Sequence, residues 1–143
     1  MARFFGLAGV LFAGAGVALG AFGAHALTAL VSAQALDTWQ TAVDYQMIHA
    51  LALIAVYLLW SRGMPDTAPV NRRMSIGLKL AGWGFLVGVV LFSGSLYALS
   101  LGASSLFGPV TPVGGLSFMV GWTGLAIAIW FRADGNMADE DIS

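Results

Sequence analysis

Four long apolar stretches set what this chain can fold into. They cover residues 4–26, 41–60, 76–101 and 113–131, and polar links separate them. A helix needs roughly 20 apolar residues to cross the ~30 Å hydrocarbon core of a bilayer. Charged residues make up only 9% of the chain, against about one quarter in a soluble domain. The sequence therefore predicts an all-α membrane protein, a bundle of four transmembrane helices.

The domain organisation follows from the same pattern. Residues 1–132 are predicted to form one transmembrane domain, and residues 133–143 (ADGNMADEDIS) a flexible acidic cytoplasmic tail, since this segment is too polar to join a core. The first stretch also resembles a signal peptide, because residues 24–26 (AHA) fit an A-x-A cleavage site. Its apolar run exceeds the usual h-region of about 7 to 15 residues, so a retained helix is predicted.

The basic residues predict the orientation. If the chain enters from the cytoplasm, all six fall on one side of the membrane: Arg3, Arg62, Arg72, Arg73, Lys79 and Arg132. An excess of Lys and Arg marks the cytoplasmic side, so both termini are predicted to be cytoplasmic. The net charge of -1 and the lack of a basic stripe give no sign of a nucleic-acid partner, and none is predicted.

Small residues recur on one face of the first stretch, at intervals of three and four: Gly6, Gly9, Ala13, Gly16, Gly20 and Gly23. A second row, Gly14, Ala18 and Ala21, lies on another face, so the first helix is predicted to be central, with several neighbours. Gly84 and Gly88 form a G-x-x-x-G in the third stretch, a spacing that lets helix backbones approach closely. That face is predicted to meet the first helix.

Polar side chains are predicted to cluster in the outer half of the bundle: His25, Tyr45, Gln46, His49, Ser93, Ser95, Tyr97 and Thr111. His49 lies roughly 12 Å deep by the helical rise. A polar residue at that depth is a functional candidate. Alternatively, His49 is a neutral imidazole that is hydrogen-bonded to a serine or carbonyl of the first or third helix and so holds the bundle together. Asp44 is placed to reach Gln40 but not His49.

Local chemistry predicts helix starts and aromatic positions. Thr111 is predicted to cap the fourth helix, and Asp37 or Thr38 the second. Trp39 is predicted to anchor the second helix at the membrane interface, and Trp122 to be a packing residue.

The sequence gives little support for a bound cofactor or for catalysis. A bis-histidine haem needs both imidazoles at one level, whereas His25 and His49 differ in depth by about 10 Å. The chain has no cysteine, so thiolate metal sites and disulfides are excluded. A serine nucleophile formed by Ser93 or Ser95, with His49 as its base, would lack a carboxylate partner and a nucleophile elbow. No cofactor, no metal and no enzymatic activity are predicted.

Four segments together resemble a known family: residues 20–25 (GAFGAH), 41–53 (TAVDYQMIHALAL), 92–97 (FSGSLY) and 111–115 (TPVGG). They are similar to the small bacterial inner-membrane proteins called YgdD-like, which are related to the eukaryotic transmembrane protein 256. The resemblance covers nearly the whole chain, and it implies a compact four-helix membrane protein with no established activity.

Two functions are therefore expected. The leading one is a non-enzymatic structural or accessory protein of the inner membrane, in contact with lipids and with a second copy or a larger membrane complex through its small-residue faces. The alternative is a small conduit or binding site for a proton, ion or lipid headgroup around His49.

The mature protein is expected to keep its first helix. Amino-terminal sequencing of protein extracted from membranes should give a start before Phe4, because a packed helix is not discarded. A start at or near Leu27 would contradict this.

Overall fold

The computed structural model describes the backbone of residues 1–63 and 72–140 and the side chains of residues 1–62 and 72–132. The helices are α1 (Ala2–His25), α2 (Ala33–Gly63), α3 (Arg72–Gly88), α4 (Gly94–Ser100) and α5 (Val110–Glu140). A π turn, Val89–Ser93, joins α3 to α4. Short 3-10 turns at Leu27–Ala29 and Ser105–Phe107 precede α2 and α5.

By length and composition, four helical segments in the described part of the chain are able to cross a membrane: Ala2–Ala29, Ala33–Arg62, Arg72–Ser100 and Ser105–Arg132. The predicted four-helix bundle is confirmed, and its third span consists of α3, the π turn and α4. Most of the predicted link at residues 61–75 lies outside the described residues. So do residues 141–143 and the side chains of the predicted tail, whereas the α5 backbone continues to Glu140.

The helices pack as two antiparallel pairs, α1 with α2 and α3 with α5. α2 joins the pairs, because it also lies against α3, the π turn and α4. Between the pairs lies a core whose largest fully buried side chains include Phe5, Leu53, Leu78 and Phe85. We call the end of the bundle that carries Arg3, Arg62 and Arg72 the basic end, and the end with the two 3-10 turns the turn end.

The glycine face of α1 packs directly on α2. Gly6, Gly9, Gly16 and Gly23 are buried, and a side chain at any of them would collide with α2. A Cβ atom would lie 2.7 Å from Tyr57 Cγ at Gly6, 2.8 Å from the Ala50 carbonyl at Gly9, 2.6 Å from Met47 Sδ at Gly16 and 2.8 Å from Trp39 Nε1 at Gly23. At Gly20 the nearest atom is Val43 Cγ1, at 3.4 Å.

The prediction that α1 is the central helix is wrong. α1 meets α3 only near its start, where Phe5 lies against Gly82 and Phe4 against Trp83. The second small-residue row is exposed, and no atom lies within 4 Å of a Cβ built on Gly14. The spacing of small residues shows which faces a helix can approach closely, but not how many helices do so. α2 is the central helix instead.

The prediction that Gly84 and Gly88 face α1 is also wrong. A Cβ on Gly84 would lie 2.5 Å from the Gly121 nitrogen, and one on Gly88 would collide with the Phe118 ring. Both contacts are with α5, which has glycines of its own in the interface. α2 already covers the small face of α1, whereas α3 and α5 bring bare backbone against bare backbone, where dispersion contacts are densest.

The π turn lies where the third span passes α5. The Gly94 N–H donates to the carbonyl of Val89, five residues back, as well as to that of Leu91. A Cβ on Gly114 would lie 2.7 Å from Phe92 Cα, so the missing side chain at Gly114 lets the π turn contact α5.

Two predicted helix caps are wrong. α2 begins at Ala33, before Asp37 and Thr38, and the Ala35 N–H donates to Ser32 Oγ at 3.2 Å. α5 begins at Val110, before Thr111. At α2 the Ser32 hydroxyl accepts from the first turn, which places Asp37 and Thr38 in the second turn. The Thr111 hydroxyl lies 2.7 Å from Ser95 Oγ of α4 instead.

Gly84 and Gly14 provide a matched test of this packing. Gly84→Ala should lower the free energy of unfolding by about 1–3 kcal/mol, the usual effect of overpacking, because its Cβ meets α5 backbone. Gly14→Ala should change it by less than about 0.5 kcal/mol, as at other open surface positions. Unfolding in mixed micelles measures both, and equal effects would contradict the assigned α3–α5 interface.

Candidate functional site

Gln46 connects three helices. It is 4% exposed, and its Nε2 donates to the Phe12 carbonyl of α1 at 2.8 Å. Its Oε1 accepts a hydrogen bond from the Tyr97 hydroxyl of α4 at 3.0 Å. α1, α2 and α4 are thereby joined by one buried amide, which is the arrangement that the absence of water inside a bilayer favours.

The glycine face of α1 makes this contact possible. In a helix the N–H of Gly16 points at the carbonyl of Phe12, four residues back, and a Cβ on Gly16 would lie 3.4 Å from Gln46 Nε2. Without that Cβ, the Phe12 carbonyl is open to a second donor from α2.

The same device recurs seven residues further along α1. Trp39 Nε1 donates to the Leu19 carbonyl at 2.9 Å, beside Gly23, where a Cβ would lie 2.8 Å from that nitrogen. Trp39 is 3% exposed, so the prediction that it anchors α2 at the membrane interface is wrong. Because its indole N–H is hydrogen-bonded inside the protein, the ring can be buried without an unpaired donor.

His49 lies in a separate aromatic group between α2 and α5. It is 4% exposed, and its ring stacks on Phe118 with centroids 3.5 Å apart. Nδ1 lies 2.7 Å from the Tyr45 carbonyl, and Nε2 accepts from the Trp122 indole N–H at 3.2 Å. Because a carbonyl only accepts, Nδ1 carries a proton. Because an indole N–H only donates, Nε2 carries none, and the imidazole is neutral.

These partners differ from the expected ones. A neutral, bundle-tying imidazole was expected to bond to the first or third helix, but His49 bonds to its own helix and to Trp122 of α5. Trp122 therefore donates a hydrogen bond in addition to packing. The expected contact of Asp44 is confirmed, since Gln40 Nε2 donates to Asp44 Oδ1 at 2.8 Å.

The serines near the turn end behave differently from one another. Ser95 Oγ donates to the Phe92 carbonyl at 2.9 Å and lies 2.7 Å from Thr111 Oγ1, which joins α4 to α5. Ser93, in the π turn, is fully buried, and among the described residues its hydroxyl has no hydrogen-bond partner. Neither serine is hydrogen-bonded to His49.

His25 stands apart from the other candidates. It is exposed at the turn end and makes no hydrogen bond with any residue that the structure describes. Among residues 1–62 and 72–132, whose side chains the structure describes, there is no group of three or more His, Cys, Asp or Glu able to hold a metal ion.

The structure thus divides the predicted cluster into three groups: Gln46 with Tyr97, His49 with Tyr45, and Ser95 with Thr111.

Trp39 and Trp122 were not predicted to belong to any of these groups. A sequence signal for Trp39 exists, because Trp39 and Gln46 are seven residues apart, as are Gly16 and Gly23. No comparable spacing links Trp122 to His49, which lie on different helices.

The four apolar spans and the buried, mutually bonded polar groups define a small multi-pass α-helical membrane protein. Residues 19–115 match the family described as protein of unknown function (DUF423). The chain belongs to this family, and the resemblance noted in the sequence is confirmed.

Curated relatives carry the name UPF0382 membrane protein. SSP2132 of Staphylococcus saprophyticus is 39% identical over 125 residues, which cover 87% of this chain and 95% of the relative. YwdK of Bacillus subtilis is 41% identical over 113 residues, 78% of this chain and 84% of the relative. The Escherichia coli relative, named an inner membrane protein, YgdD, is 39% identical over 122 residues, 85% of this chain and 82% of the relative. No solved structure matches the chain.

Gln46→Met tests the bridge between three helices. It removes two interhelical hydrogen bonds, each worth about 0.6 and at most about 1.7 kcal/mol in a membrane protein, so the free energy of unfolding should fall by about 1–2 kcal/mol. Gln40→Met, on the exposed side of α2, is the matched control and should have an effect below about 0.5 kcal/mol. A double variant with Tyr97→Phe should show less than additive losses, and full additivity would contradict the bridge.

Proposed function

We propose that the protein is a non-enzymatic integral protein of the inner membrane that acts as a structural or accessory component by associating with a second copy of itself through α1. The observation that carries the proposal is the outward face of α1. We call this surface the Gly14 face and define it as Gly14, Ala18 and Ala21.

The Gly14 face differs from the glycine surfaces that pack inside the bundle. The glycines that face α2 and those between α3 and α5 are already covered, whereas all three residues of the Gly14 face are exposed. Gly14 and Ala18 have the small-xxx-small spacing that lets two transmembrane helices cross closely. A contact around a two-fold axis would bring the same patch of both copies together.

The hydrogen bonds support a structural role for the polar residues. Both ring nitrogens of His49 and both polar atoms of Gln46 are engaged within the bundle. A serine nucleophile needs a hydrogen-bonded base, and His49 is bonded to Tyr45 and Trp122 instead. The same contacts favour a structural role over a conduit or binding site for a proton, ion or lipid headgroup, because a relay requires an imidazole that is free to exchange its proton.

The orientation is part of the proposal. Arg3, Arg62 and Arg72 lie at one end of the bundle, and the cytoplasmic side of a membrane protein is the side rich in such residues. We therefore assign the basic end, and with it both termini, to the cytoplasm.

Site-specific crosslinking tests the association, because the chain has no cysteine of its own. Ala18→Cys should give a disulfide-linked dimer on oxidation of native membranes. Met119→Cys, which is 66% exposed on α5, is the control and should remain monomeric.

Blue-native electrophoresis provides the second readout. The unmodified protein should migrate as a dimer, and Gly14→Leu should convert it to a folded monomer, because a side chain there meets nothing inside the bundle. Migration of the unmodified protein only as a monomer, together with no Ala18→Cys crosslink, would refute self-association.

A further inference from the structure

A groove opens between α1 and α2 near the basic end. Its volume is about 370 Å³, and its walls are formed by Leu7 and Val10 of α1 and Ile54 and Leu58 of α2. Arg3 also lines it and is the lining residue of α1 closest to the basic end. The groove shares no residue with the Gly14 face, which begins one turn beyond Val10 on the same side of α1.

The close contact of the two helices at Gly6 forms the groove. A Cβ on Gly6 would lie 2.7 Å from Tyr57 Cγ, so the tyrosine ring lies over bare α1 backbone. Leu7 is 66% exposed and Leu58 45% exposed. The two helix backbones are in contact at Gly6, whereas the side chains of Leu7 and Leu58 lie on either side of that contact. The space between these two side chains is open to the surroundings of the bundle.

Apart from Arg3 and the hydroxyl of Tyr57, the side chains that line the groove are apolar. Among the lining residues Arg3 is the only charged one, and it has no hydrogen bond or ion pair with any residue in the described ranges. A guanidinium binds phosphate through its fork of N–H donors. Arg62 follows Leu58 by one helical turn but does not line the groove, so Arg3 is the cation assigned to the phosphate.

We propose that this groove binds one acyl chain of an anionic phospholipid, whose phosphate contacts Arg3. From Arg3 to Val10 the groove extends about 10 Å along α1, or about a third of the ~30 Å hydrocarbon core. This is the depth of the chain segment nearest the headgroup. The floor of the groove is the close contact at Gly6, and its one charged residue lies at the basic end, where the headgroup of a lipid is located. This charge placement favours an anionic lipid over a helix of a second copy.

Native mass spectrometry of the full chain tests this binding. The protein is reconstituted in nanodiscs of equimolar phosphatidylglycerol and phosphatidylcholine, released, and the retained lipids are counted. Phosphatidylglycerol should be retained about fivefold over phosphatidylcholine, the ratio that one cation near an anionic headgroup provides.

Three variants locate the binding. Arg3→Gln should abolish the preference, whereas Arg72→Gln, which removes a cation at the same end but on α3, should preserve it. Val10→Trp should fill the groove and reduce the retention of both lipids. Circular dichroism should show the same helix content in all variants.

Either of two results would overturn the proposal. One is a preference for phosphatidylglycerol that survives Arg3→Gln or is lost equally in Arg72→Gln. The preference would then come from the basic end as a whole and not from Arg3. The other is unchanged retention in Val10→Trp, which would place the lipid elsewhere. Gly14→Leu should leave lipid retention unaltered, so failure of self-association and failure of lipid binding are distinguishable.

Discussion

The fold depends on backbone carbonyls of α1 that accept hydrogen bonds from side chains of α2. Inside a bilayer the hydrophobic effect does not hold helices together, so packing and interhelical hydrogen bonds must do so. A helical carbonyl is normally screened by the side chain four residues further on. Gly16 and Gly23 remove that screen above Phe12 and Leu19, and donors from α2 reach both carbonyls. The glycine face of α1 therefore permits close packing and also exposes acceptors.

α2 carries the donors and consequently becomes the central helix. Trp39 and Gln46 lie two turns apart on the side that faces α1, and Gln46 also accepts from Tyr97 of α4. His49, less than a turn further on, faces α5 and accepts from Trp122. One helix thus distributes its polar groups among three neighbours. The α3–α5 pair needs fewer such bonds, because reciprocal glycines bring those two backbones into direct contact.

The sequence predicted the elements of the fold better than their pairing. Apolar length and charge distribution identify the spans, because the bilayer thickness imposes them on every spanning helix. The glycine spacing correctly marked a tightly packed face of α1, but periodicity specifies a face and not its partner, so the wrong neighbour was predicted for Gly84 and Gly88. The π turn has no sequence signature comparable to a cap or a proline. It depends on the match between Phe92 and Gly114, which lie on different spans.

The buried polar residues are distinct from the surfaces for which we propose binding. Depth in the membrane correctly indicated that His49 must be turned inward, yet depth does not distinguish a proton carrier from a structural hydrogen bond. The hydrogen-bond partners add what depth does not give, since both ring nitrogens of His49 are bonded within the bundle. The groups on which the two proposals rest are at the periphery instead, in the guanidinium of Arg3 and the open space beside Gly14. Both belong to α1, the helix with the fewest internal neighbours, and this is why we propose that a second molecule binds there.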